Sequence, residues 1–477
     1  MKIIPTYSWN KNLHKMKLSR VSFMKQPWAS GVILLLCVIV AMLLANLPFT
    51  KELYHAILET DLSMSIQSPI DPETGMRAID WTFPKDMTVE KFINDILMVI
   101  FFFTVGLEIK REVICGELSS VKKAILPVIA AAGGMIAPAL IYFLFNQGTI
   151  TAGGWGIPTA TDIAFAIGIM SILGDRVPVS LKIFLTALAI ADDLGAILVV
   201  ALFYGGNINF PLLLIALILI AGVIIMSHLG EKNMNYYWFP AIVIWFLFYY
   251  SGIHATMSGV VMAFLIPMEA RFNKPFLQRN FRKYCYRLEK FEEAPGEESF
   301  PNGLQRHCLR RLSYITSNTI GMSYRLEHIL NPWVNFLIMP IFALANAGVE
   351  IPDISFFNIF QALPGIANVG FVGMGVYFGL LLGKPIGITI ASWIAIKSKV
   401  GAMPENASWK MLFAVACLGG IGFTMSIFVD TLSFGGLDTT TTETLRASGK
   451  IAVLMASLSA GLLGSILIML VNKAEKK

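Results

Sequence analysis

The sequence predicts an all-α membrane protein with about twelve transmembrane helices, and three observations favour this class. Of the 477 residues, 56% are apolar and only 14% are charged, with a mean hydropathy of +0.67. Soluble chains have about 45–50% apolar and about 25% charged residues. Apolar stretches of about 20 residues, long enough to cross a bilayer, recur along the chain, and the charged residues fall mainly in the loops that separate them.

This composition argues against a soluble enzyme, a nucleic-acid binder and a disordered protein. The formal net charge of +6 is spread over short loops, whereas nucleic-acid binding needs a clustered basic surface. The five cysteines are odd in number and widely separated, so the sequence predicts neither a disulfide framework nor a cysteine metal site. We therefore expect membrane lipid as a partner, no nucleic acid, no cofactor and no activity of a soluble enzyme.

Twelve segments qualify as membrane spans, with boundaries defined to within a few residues. They are residues 29–48, 91–114, 123–146, 153–173, 178–204, 209–228, 236–250, 252–268, 328–349, 366–396, 410–432 and 444–471. The seventh and eighth are short, and a single re-entrant pair is the alternative there. For the first segment the alternative is a signal peptide, but the charged lead of 28 residues is too long for one.

The loop charges predict the orientation in the membrane, because short cytoplasmic loops carry the excess of Lys and Arg. Residues 1–28 contain six basic residues and no acids, which places the N-terminus in the cytoplasm. Basic residues then recur in alternate loops, after the second, fourth, sixth and tenth segments and at the end of the chain. Twelve crossings with both termini cytoplasmic are consistent with this pattern.

Two hydrophilic inserts divide the chain. Residues 1–28 form a cytoplasmic N-terminal segment, and 29–268 contain the first eight spans with an outer insert at 49–90, where turn residues flank alternating stretches and favour a small hairpin. Within the inner insert, 269–327, the apolar and basic residues of 276–291 resemble a basic amphipathic helix lying on an anionic leaflet, with a solvated cytoplasmic loop as the alternative. Residues 328–477 hold the last four spans and a short cytoplasmic tail.

Four charged residues lie deep inside the predicted spans. Asp162 is in the fourth segment, Asp192 and Asp193 are adjacent in the fifth, and Lys384 is in the tenth. A charge at the bilayer centre costs at least about 2.5–3.5 kcal/mol, so such residues mark a functional site by default. Counted from the ends of their own helices at about 1.5 Å per residue, all four residues lie at nearly the same depth in the membrane. Three acids and one base at one level are typical of a cation site with an internal counter-charge.

The alternative is a structural ion pair between Asp192 and Lys384, since pairing is the least costly way to bury either charge. Such a pair does not account for both neighbouring carboxylates. Successive helical residues point about 100° apart, so Asp193 faces a different space from Asp192. A carboxylate in that space needs a proton or a cation.

The fourth and eleventh segments carry helix-breaking residues at their centres. The fourth reads GWGIPTATD over 154–162, and the eleventh reads GGIGFTMS over 419–426. Interrupted segments in the two halves of a transporter point to its binding site. The alternative for the glycines is close helix packing. The tenth segment shows the spacing of such a packing ladder at Gly375, Gly379, Gly383 and Gly387.

Seven motifs run in order across nearly the whole chain outside the two inserts: GLEIKRE at 106–112, TDIAFA at 161–166, ALAIADDLGA at 187–196, SGIHAT at 251–256, ANAG at 345–348, GKPIG at 383–387 and GGIGFTMSI at 419–427. Together they resemble the NhaA-type sodium/proton antiporters of bacterial inner membranes. The resemblance implies inverted structural repeats with two interrupted, crossing helices. It also implies a multi-pass protein of the inner membrane, and a homodimer joined partly through the outer hairpin.

The resemblance also implies roles for the buried charges. Asp193 and Asp192 would alternately hold protons and Na⁺ or Li⁺, with Thr161 as a weaker candidate ligand. Lys384 would be the counter-charge of Asp192, and Asp162 would balance the ends of the interrupted helices.

A second implied group senses pH at the cytoplasmic entrance. It comprises Glu108, Lys110, Arg111, Glu112, Glu327 and His328, together with His254 at a position linked to the pH response. The alternatives are charges that snorkel at helix ends and, for His254, an ordinary hydrogen-bonded polar group. This chain departs from the family in the long inner insert before Glu327 and in Asn331, which replaces a histidine often seen there.

Competition for one set of oxygens explains how such a site could exchange ions. Burial disfavours the charged form of a carboxyl group, so protons and Na⁺ compete for it within a useful pH range. If only the loaded and the doubly protonated states switch sides, the two fluxes are coupled in opposite directions. The resemblance implies electrogenic exchange, activated at alkaline pH, for Na⁺ and pH homeostasis.

Two other classes of protein also use charged residues in membranes. A proton- or sodium-coupled symporter of a small organic solute would need aromatic or Arg side chains at the membrane midplane to bind the solute, and the sequence places no Arg there. An intramembrane aspartyl protease needs acids from two helices, whereas Asp192 and Asp193 are adjacent. The symporter is the better alternative to an antiporter.

Overall fold

The protein folds mainly into long apolar helices. The computed structural model describes residues 28–67, 80–84, 87–206, 208–289, 303–351, 369–434 and 438–475. Within these ranges, nine helices are long and apolar enough to cross a membrane, and one bent pair makes a tenth candidate. The chain is therefore a multi-pass membrane protein. Most of the predicted N-terminal segment and parts of both inserts lie outside the described residues.

The described helices lie in the predicted apolar segments and in the two inserts. They are α1 Ala29–Asn46, α2 Lys51–Glu59, α3 Val89–Cys115, α4 Val121–Asn146, α5 Ile163–Leu173, α6 Val179–Phe203, α7 Phe210–His228, α8 Asn235–Ser251, α9 Thr256–Leu265, α10 Lys274–Glu289, α11 Gly303–Asn318, α12 Met322–Asn346, α13 Val372–Lys397, α14 Trp409–Gly419, α15 Phe423–Leu432 and α16 Thr439–Glu475. A 3₁₀ helix covers Ile150–Thr159. Single π-helical turns lie within α3, α12 and α13, at Ile93–Leu97, Val334–Ile338 and Gly379–Gly383.

Both predicted inserts contain regular structure. Strand β1 (Met64–Gln67) pairs antiparallel with β2 (Asp80–Phe83), which confirms the hairpin expected in the outer insert. The inner insert forms the basic helix α10, as expected, and a second helix, α11, that packs against it. The count of twelve spans stays a prediction, because α8 with 17 residues is at the lower limit for a spanning helix and α9 with 10 is shorter than that limit.

The larger of two compact units comprises Met1–Asn94, Glu117–Tyr204 and Asn335–Lys477. Its most extensive helix contact is between α4 and α13, and glycine makes this contact possible. A side chain at Gly387 would collide with the backbone of Gly133, and one at Gly383 would come within 2.8 Å of the Cα of Pro138. The glycine ladder of α13 is thus a packing device, because small residues let membrane helices approach closely.

The short helix α2 is held to the larger unit by one buried side chain. The Tyr54 hydroxyl lies 2.8 Å from the carbonyl oxygen of Leu344 and 3.2 Å from that of Ala345, and it donates to one of them at a time. Burial, with a smaller contribution from Glu90, raises the pKa of Tyr54 above its ordinary value. Tyr54 therefore stays a neutral hydrogen-bond donor at physiological pH.

The smaller unit comprises Asp95–Gly116 and Gly205–Val334. Here α3 and α9 pack through glycines on both sides. A Cβ on Gly106 would lie 2.7 Å from the Cβ of Ala263, and one on Gly259 would meet the backbone of Val99. At the start of α10, Phe272 stacks on Phe276 with ring centroids 4.6 Å apart.

Candidate cation site

Two helices of the larger unit stop and restart at their centres, as the sequence predicts. Between the 3₁₀ helix and α5, residues 160–162 are extended, and Pro158 stands just before the break. Between α14 and α15 the chain bends by 46° around residues 420–422. Glycine in a helix interior costs about 1 kcal/mol relative to alanine, so the glycines at 419, 420 and 422 weaken the helix where it breaks.

The two breaks contact each other directly. The backbone N–H of Asp162 donates to the carbonyl oxygen of Ile421 at 2.7 Å, and the Thr161 hydroxyl lies 2.9 Å from the carbonyl oxygen of Gly419. Where a helix breaks inside a membrane protein, backbone N–H and C=O groups lose their partners in the helix and need others. The contact between the two breaks supplies such hydrogen bonds.

Asp162 lies at the N-terminal ends of two helices. Its Oδ1 accepts a hydrogen bond from the backbone N–H of Phe165 at 3.1 Å and so caps α5. Its Oδ2 accepts from the Thr424 hydroxyl at 2.5 Å and from the Thr424 N–H at 3.3 Å, at the start of α15. Because helix N-termini carry partial positive charge, this position favours a carboxylate.

Beside the crossing, Lys384 and Asp192 form a buried ion pair. The Nζ of Lys384 pairs with Oδ2 of Asp192 and donates to the Thr161 hydroxyl at 2.6 Å. Lys384 is fully buried and follows directly after the π-helical turn of α13. The single hydroxyl proton of Thr161 is shared between two acceptors, since Oγ1 lies 2.6 Å from Asp192 and also faces Gly419.

The second acid of the pair, Asp193, is also buried near the middle of α6, with 3% of its surface exposed. It acts electrostatically on Lys384, although Asp192 is the direct partner of that ammonium. Oδ1 of Asp192 has no hydrogen-bond partner among the described residues. The site therefore combines two carboxylates, one hydroxyl and one ammonium within a buried region.

The oxygen atoms of this site suit a small hard cation. Among the described residues no three acidic, His or Cys side chains converge on one point. A cation held by Asp192 and Asp193 would therefore draw its remaining ligands from neutral oxygens such as the Thr161 hydroxyl.

The predicted pH-sensing residues lie in the smaller unit, and the structure gathers several of them around Arg111. Nη1 of Arg111 lies 2.7 Å from the buried Glu327, and its Nη2 lies 3.0 Å from Glu112 and 3.8 Å from Glu108. Lys110 instead donates to two backbone carbonyls, those of Phe264 at 2.7 Å and Ile266 at 2.5 Å.

The two predicted histidines have other surroundings. His328 is exposed, its ring stacks on Tyr324 with centroids 6.4 Å apart, and it acts on Glu327 electrostatically. His254 lies in the turn between α8 and α9, where its carbonyl oxygen accepts from the N–H of Met257 at 3.0 Å. The ion pairs described within the predicted group thus join its three acids to Arg111.

Sequence reasoning missed two polar residues of the larger unit. Thr424 was visible in the eleventh segment, but its contact with Asp162 spans 262 positions and depends on the crossing of two breaks. Asp430, fully buried on α15, is an acid inside an apolar run. Its position close to the predicted end of that span made it resemble a boundary residue.

The pattern of the family described as Na⁺/H⁺ antiporter 1 matches residues 21–468. The chain belongs to this family. A protein of Oleidesulfovibrio alaskensis named Na(+)/H(+) antiporter NhaA is 40% identical over 441 residues, which cover 92% of this chain and 91% of that protein. NhaA antiporters of Acidithiobacillus ferrooxidans and of Escherichia coli strain CFT073 are 39% and 37% identical, each over 95% of this chain and 97% of its own length. The suspected resemblance to NhaA-type antiporters is thereby confirmed.

Proposed function

We propose that this protein exchanges Na⁺ for H⁺ across the bacterial inner membrane, with Li⁺ as a second transported cation. The observation that carries the proposal is the pair of adjacent buried acids on α6, of which Asp192 is paired with Lys384 beside two crossing helix breaks. Membership of the Na⁺/H⁺ antiporter 1 family supports the same activity.

In this proposal each charged residue at the crossing has one role. Asp193 and Asp192 hold either protons or the cation, and Thr161 contributes a hydroxyl oxygen. Lys384 balances Asp192 when the cation is absent. Asp162, placed at the N-terminal ends of α5 and α15, compensates the partial positive charges of those helix ends.

Exchange follows from competition between protons and the cation. Both need the carboxylate oxygens, and burial penalises a charged carboxylate that has neither. If the site changes sides only when it is loaded or doubly protonated, each Na⁺ that leaves is matched by entering protons. An excess of protons over Na⁺ in each cycle would make exchange electrogenic, and the membrane potential would then drive Na⁺ out.

Exchange should fail at acid pH for the same reason. Protons then occupy the carboxylates on both sides of the membrane, so Na⁺ cannot bind. We propose that Glu108, Lys110, Arg111, Glu112, Glu327, His328 and His254 adjust this response at the cytoplasmic face.

The proposed membrane topology has twelve spans in inverted repeats and both termini in the cytoplasm. The chain would divide into a cytoplasmic N-terminal segment (1–28), the first eight spans (29–268), the cytoplasmic inner insert (269–327) and the last four spans with a short tail (328–477). The inner insert would lie against anionic lipid through α10, an amphipathic helix that carries both apolar and basic residues. A second copy of the chain would join partly through the β1–β2 hairpin, and cross-linking between cysteines placed in that hairpin tests this dimer.

A symporter of an organic solute is not favoured. The three relatives cited above are named Na⁺/H⁺ antiporters, and among the described residues the buried charges at the crossing include no Arg that would bind an organic anion.

The decisive experiment uses the whole protein in liposomes that hold a pH gradient, acidic inside. We expect added Na⁺ or Li⁺, with no organic solute present, to collapse the gradient at alkaline pH and to have little effect at acid pH. Asp193→Asn should reduce this response to that of empty liposomes, because the amide cannot exchange a proton.

Asp175→Asn is the matched control, since Asp175 is exposed in the short 3₁₀ helix Gly174–Arg176 and the chemical change is the same. This variant should retain full exchange. Normal Na⁺-dependent collapse by Asp193→Asn would refute the assignment of Asp193, and no response by the wild type would refute antiport itself.

A further inference from the structure

A second buried acid of the larger unit, Asp430, lies outside the crossing. It belongs to the last turns of α15 and none of its surface is exposed. Neither of its carboxylate oxygens has a hydrogen-bond partner among the described residues. A charged carboxylate without hydrogen bonds is costly to bury, so this group needs either a proton or charges close by.

Helix α16 leaves room for this carboxyl group. A Cβ on Gly449 would collide with Oδ1 of Asp430 and would lie 3.0 Å from its Cγ. Glycine at this position therefore lets the backbone of α16 lie against the acid. The side chain of Asp430 therefore lies buried where α15 and α16 pack closely together, and it does not reach the surface.

Two cations on α16 act on Asp430 without pairing with it. Lys450 and Arg446 both interact electrostatically with the carboxyl group, yet neither contacts its oxygens, which have no partner. Nε of Arg446 is itself buried without a hydrogen-bond partner. Glu90 interacts with Lys450 in turn.

The remaining elements packed against α15 bring no formal charge to Asp430. The 3₁₀ helix and the end of α12 carry no charged side chain over Ile150–Thr159 and Met339–Asn346. Tyr142 and Tyr204 also interact with Asp430 electrostatically. Their hydroxyls lie 2.8 Å from the carbonyl oxygens of Thr151 and Gly153, to which they donate.

The two cations also line a large polar cavity. Its volume is about 570 Å³, and Arg446 and Lys450 share its wall with Glu90, His55 and Glu443. We name it the outer cavity, because these residues come from parts of the chain that the loop charges place outside the cytoplasm. Lys450 and Arg446 thus line the outer cavity and also act electrostatically on the buried acid.

We propose that Asp430 is a second proton-binding site, which exchanges its proton with water in the outer cavity while Lys450 and Arg446 stabilise the carboxylate. On release, the carboxyl O–H bond breaks, the electron pair stays on Asp430, and the proton passes to a water molecule as hydronium. No sodium ion takes part, since two neighbouring cations repel one. The site is separate from Asp192 and Asp193.

This site is connected to the crossing through α15. Asp430 and Thr424 lie six residues apart on that helix, a rise of about 9 Å at 1.5 Å per residue, and Thr424 donates to Asp162. A change of charge at Asp430 therefore acts on the helix that contacts the crossing. This part of the inference rests on the proposed function: proton binding at Asp430 makes the rate of Na⁺/H⁺ exchange respond to the pH on the outer side.

Infrared difference spectroscopy tests proton binding without any transport. Purified full-length protein in sodium-free buffer is titrated, and the C=O stretch of protonated carboxyl groups is followed. Asp430→Asn should lack one band that the wild type loses as the pH rises. Glu443→Gln is the matched control, because Glu443 is exposed in the same cavity and its removal should leave that band in place.

Lys450→Gln provides an independent test on a protein that keeps Asp430. Loss of the cation disfavours the carboxylate, so the band should persist to higher pH than in the wild type. Identical titrations of wild type and Asp430→Asn, or an unchanged midpoint in Lys450→Gln, would overturn the proposal.

Liposomes then test the connection to exchange. With the inner pH fixed, the Na⁺ exchange rate of the wild type should vary with outer pH more steeply than that of Asp430→Asn. Equal profiles overturn the connection. Absence of exchange in the wild type would refute the proposed function and would leave the infrared result standing, so the two failures are distinguishable.

Discussion

Adjacent residues on α6 have different surroundings, and this difference explains how one site could hold two kinds of ion. Oδ2 of Asp192 is occupied by Lys384 and Thr161, so a cation that binds there displaces the ammonium. Asp193 lies about 100° further round the helix and acts on Lys384 electrostatically. The ion pair of Lys384 with Asp192 is thus present, as the structural alternative requires.

Removing the lysine alone should destabilise the protein strongly. Lys384→Met leaves Asp192 buried without its counter-charge, and breaking a buried pair by removing one partner costs about 3–5 kcal/mol. The expected result is a large fall in the midpoint of thermal unfolding of the detergent-solubilised protein.

Removing both charges provides the control for this prediction. Lys384→Met combined with Asp192→Asn removes the carboxylate that the single variant leaves without its counter-charge, so most of the lost stability should return. If the single and the double variants unfold at the same temperature, the pair does not stabilise the fold in the way its geometry indicates.

The sequence alone allowed the charged residues of the crossing to be predicted, but only part of their contacts. The cost of a charge in a membrane singles out Asp162, Asp192, Asp193 and Lys384 wherever they lie in space. The bond from Thr424 to Asp162 depends on where two distant breaks meet, which no local pattern encodes. Asp430 was overlooked because hydropathy defines span ends only to within a few residues.

Some features of the helices could be predicted from the local sequence and others could not. The breaks at 160–162 and 420–422 follow from Pro and Gly, whose backbone preferences are local. The π-helical turns of α3, α12 and α13 carry no comparable signal and were not predicted. One of them immediately precedes Lys384, and π-helical turns are frequent at functional sites.

The glycine ladder gives a prediction at the scale of helix pairs. Gly387→Val places a branched side chain against the backbone of α4 at Gly133. Overpacking of this kind typically costs about 1–3 kcal/mol. We expect a lower midpoint of thermal unfolding and less protein recovered in the membrane.

Gly222→Val is the matched control, because Gly222 lies in α7 with open space around it. Valine there meets no neighbour and has a better helix propensity than glycine, so stability should be unchanged or slightly higher. Equal losses in both variants would mean that the effect comes from valine in a membrane helix and not from the contact between α4 and α13.

At the scale of the whole molecule, composition predicted the class of protein and loop charges predicted its orientation. The family match over residues 21–468 supports the class. The number of crossings is harder to predict, since α8 and α9 are separated only by a turn at Gly252, which has a φ of +84°. Whether these two helices cross separately depends on the bilayer around them, which chain geometry does not fix.

Orientation can be tested with single cysteines in a variant that lacks the five native ones. Glu52, exposed on α2, belongs to the predicted outer insert, and Ser313, exposed on α11, belongs to the predicted inner insert. In intact spheroplasts a membrane-impermeant maleimide should label Glu52→Cys at once and Ser313→Cys only after permeabilisation. The physical reason is that the basic loops stay on the cytoplasmic side during insertion.

The same experiment decides whether the outer cavity deserves its name. Glu59, exposed on α2, lines that cavity, so Glu59→Cys should react in intact spheroplasts as Glu52→Cys does. Labelling of both only after permeabilisation would reverse the orientation and turn the cavity beside Asp430 towards the cytoplasm. The infrared titration of Asp430 would still stand in that case, but the proton it binds would come from the cell interior.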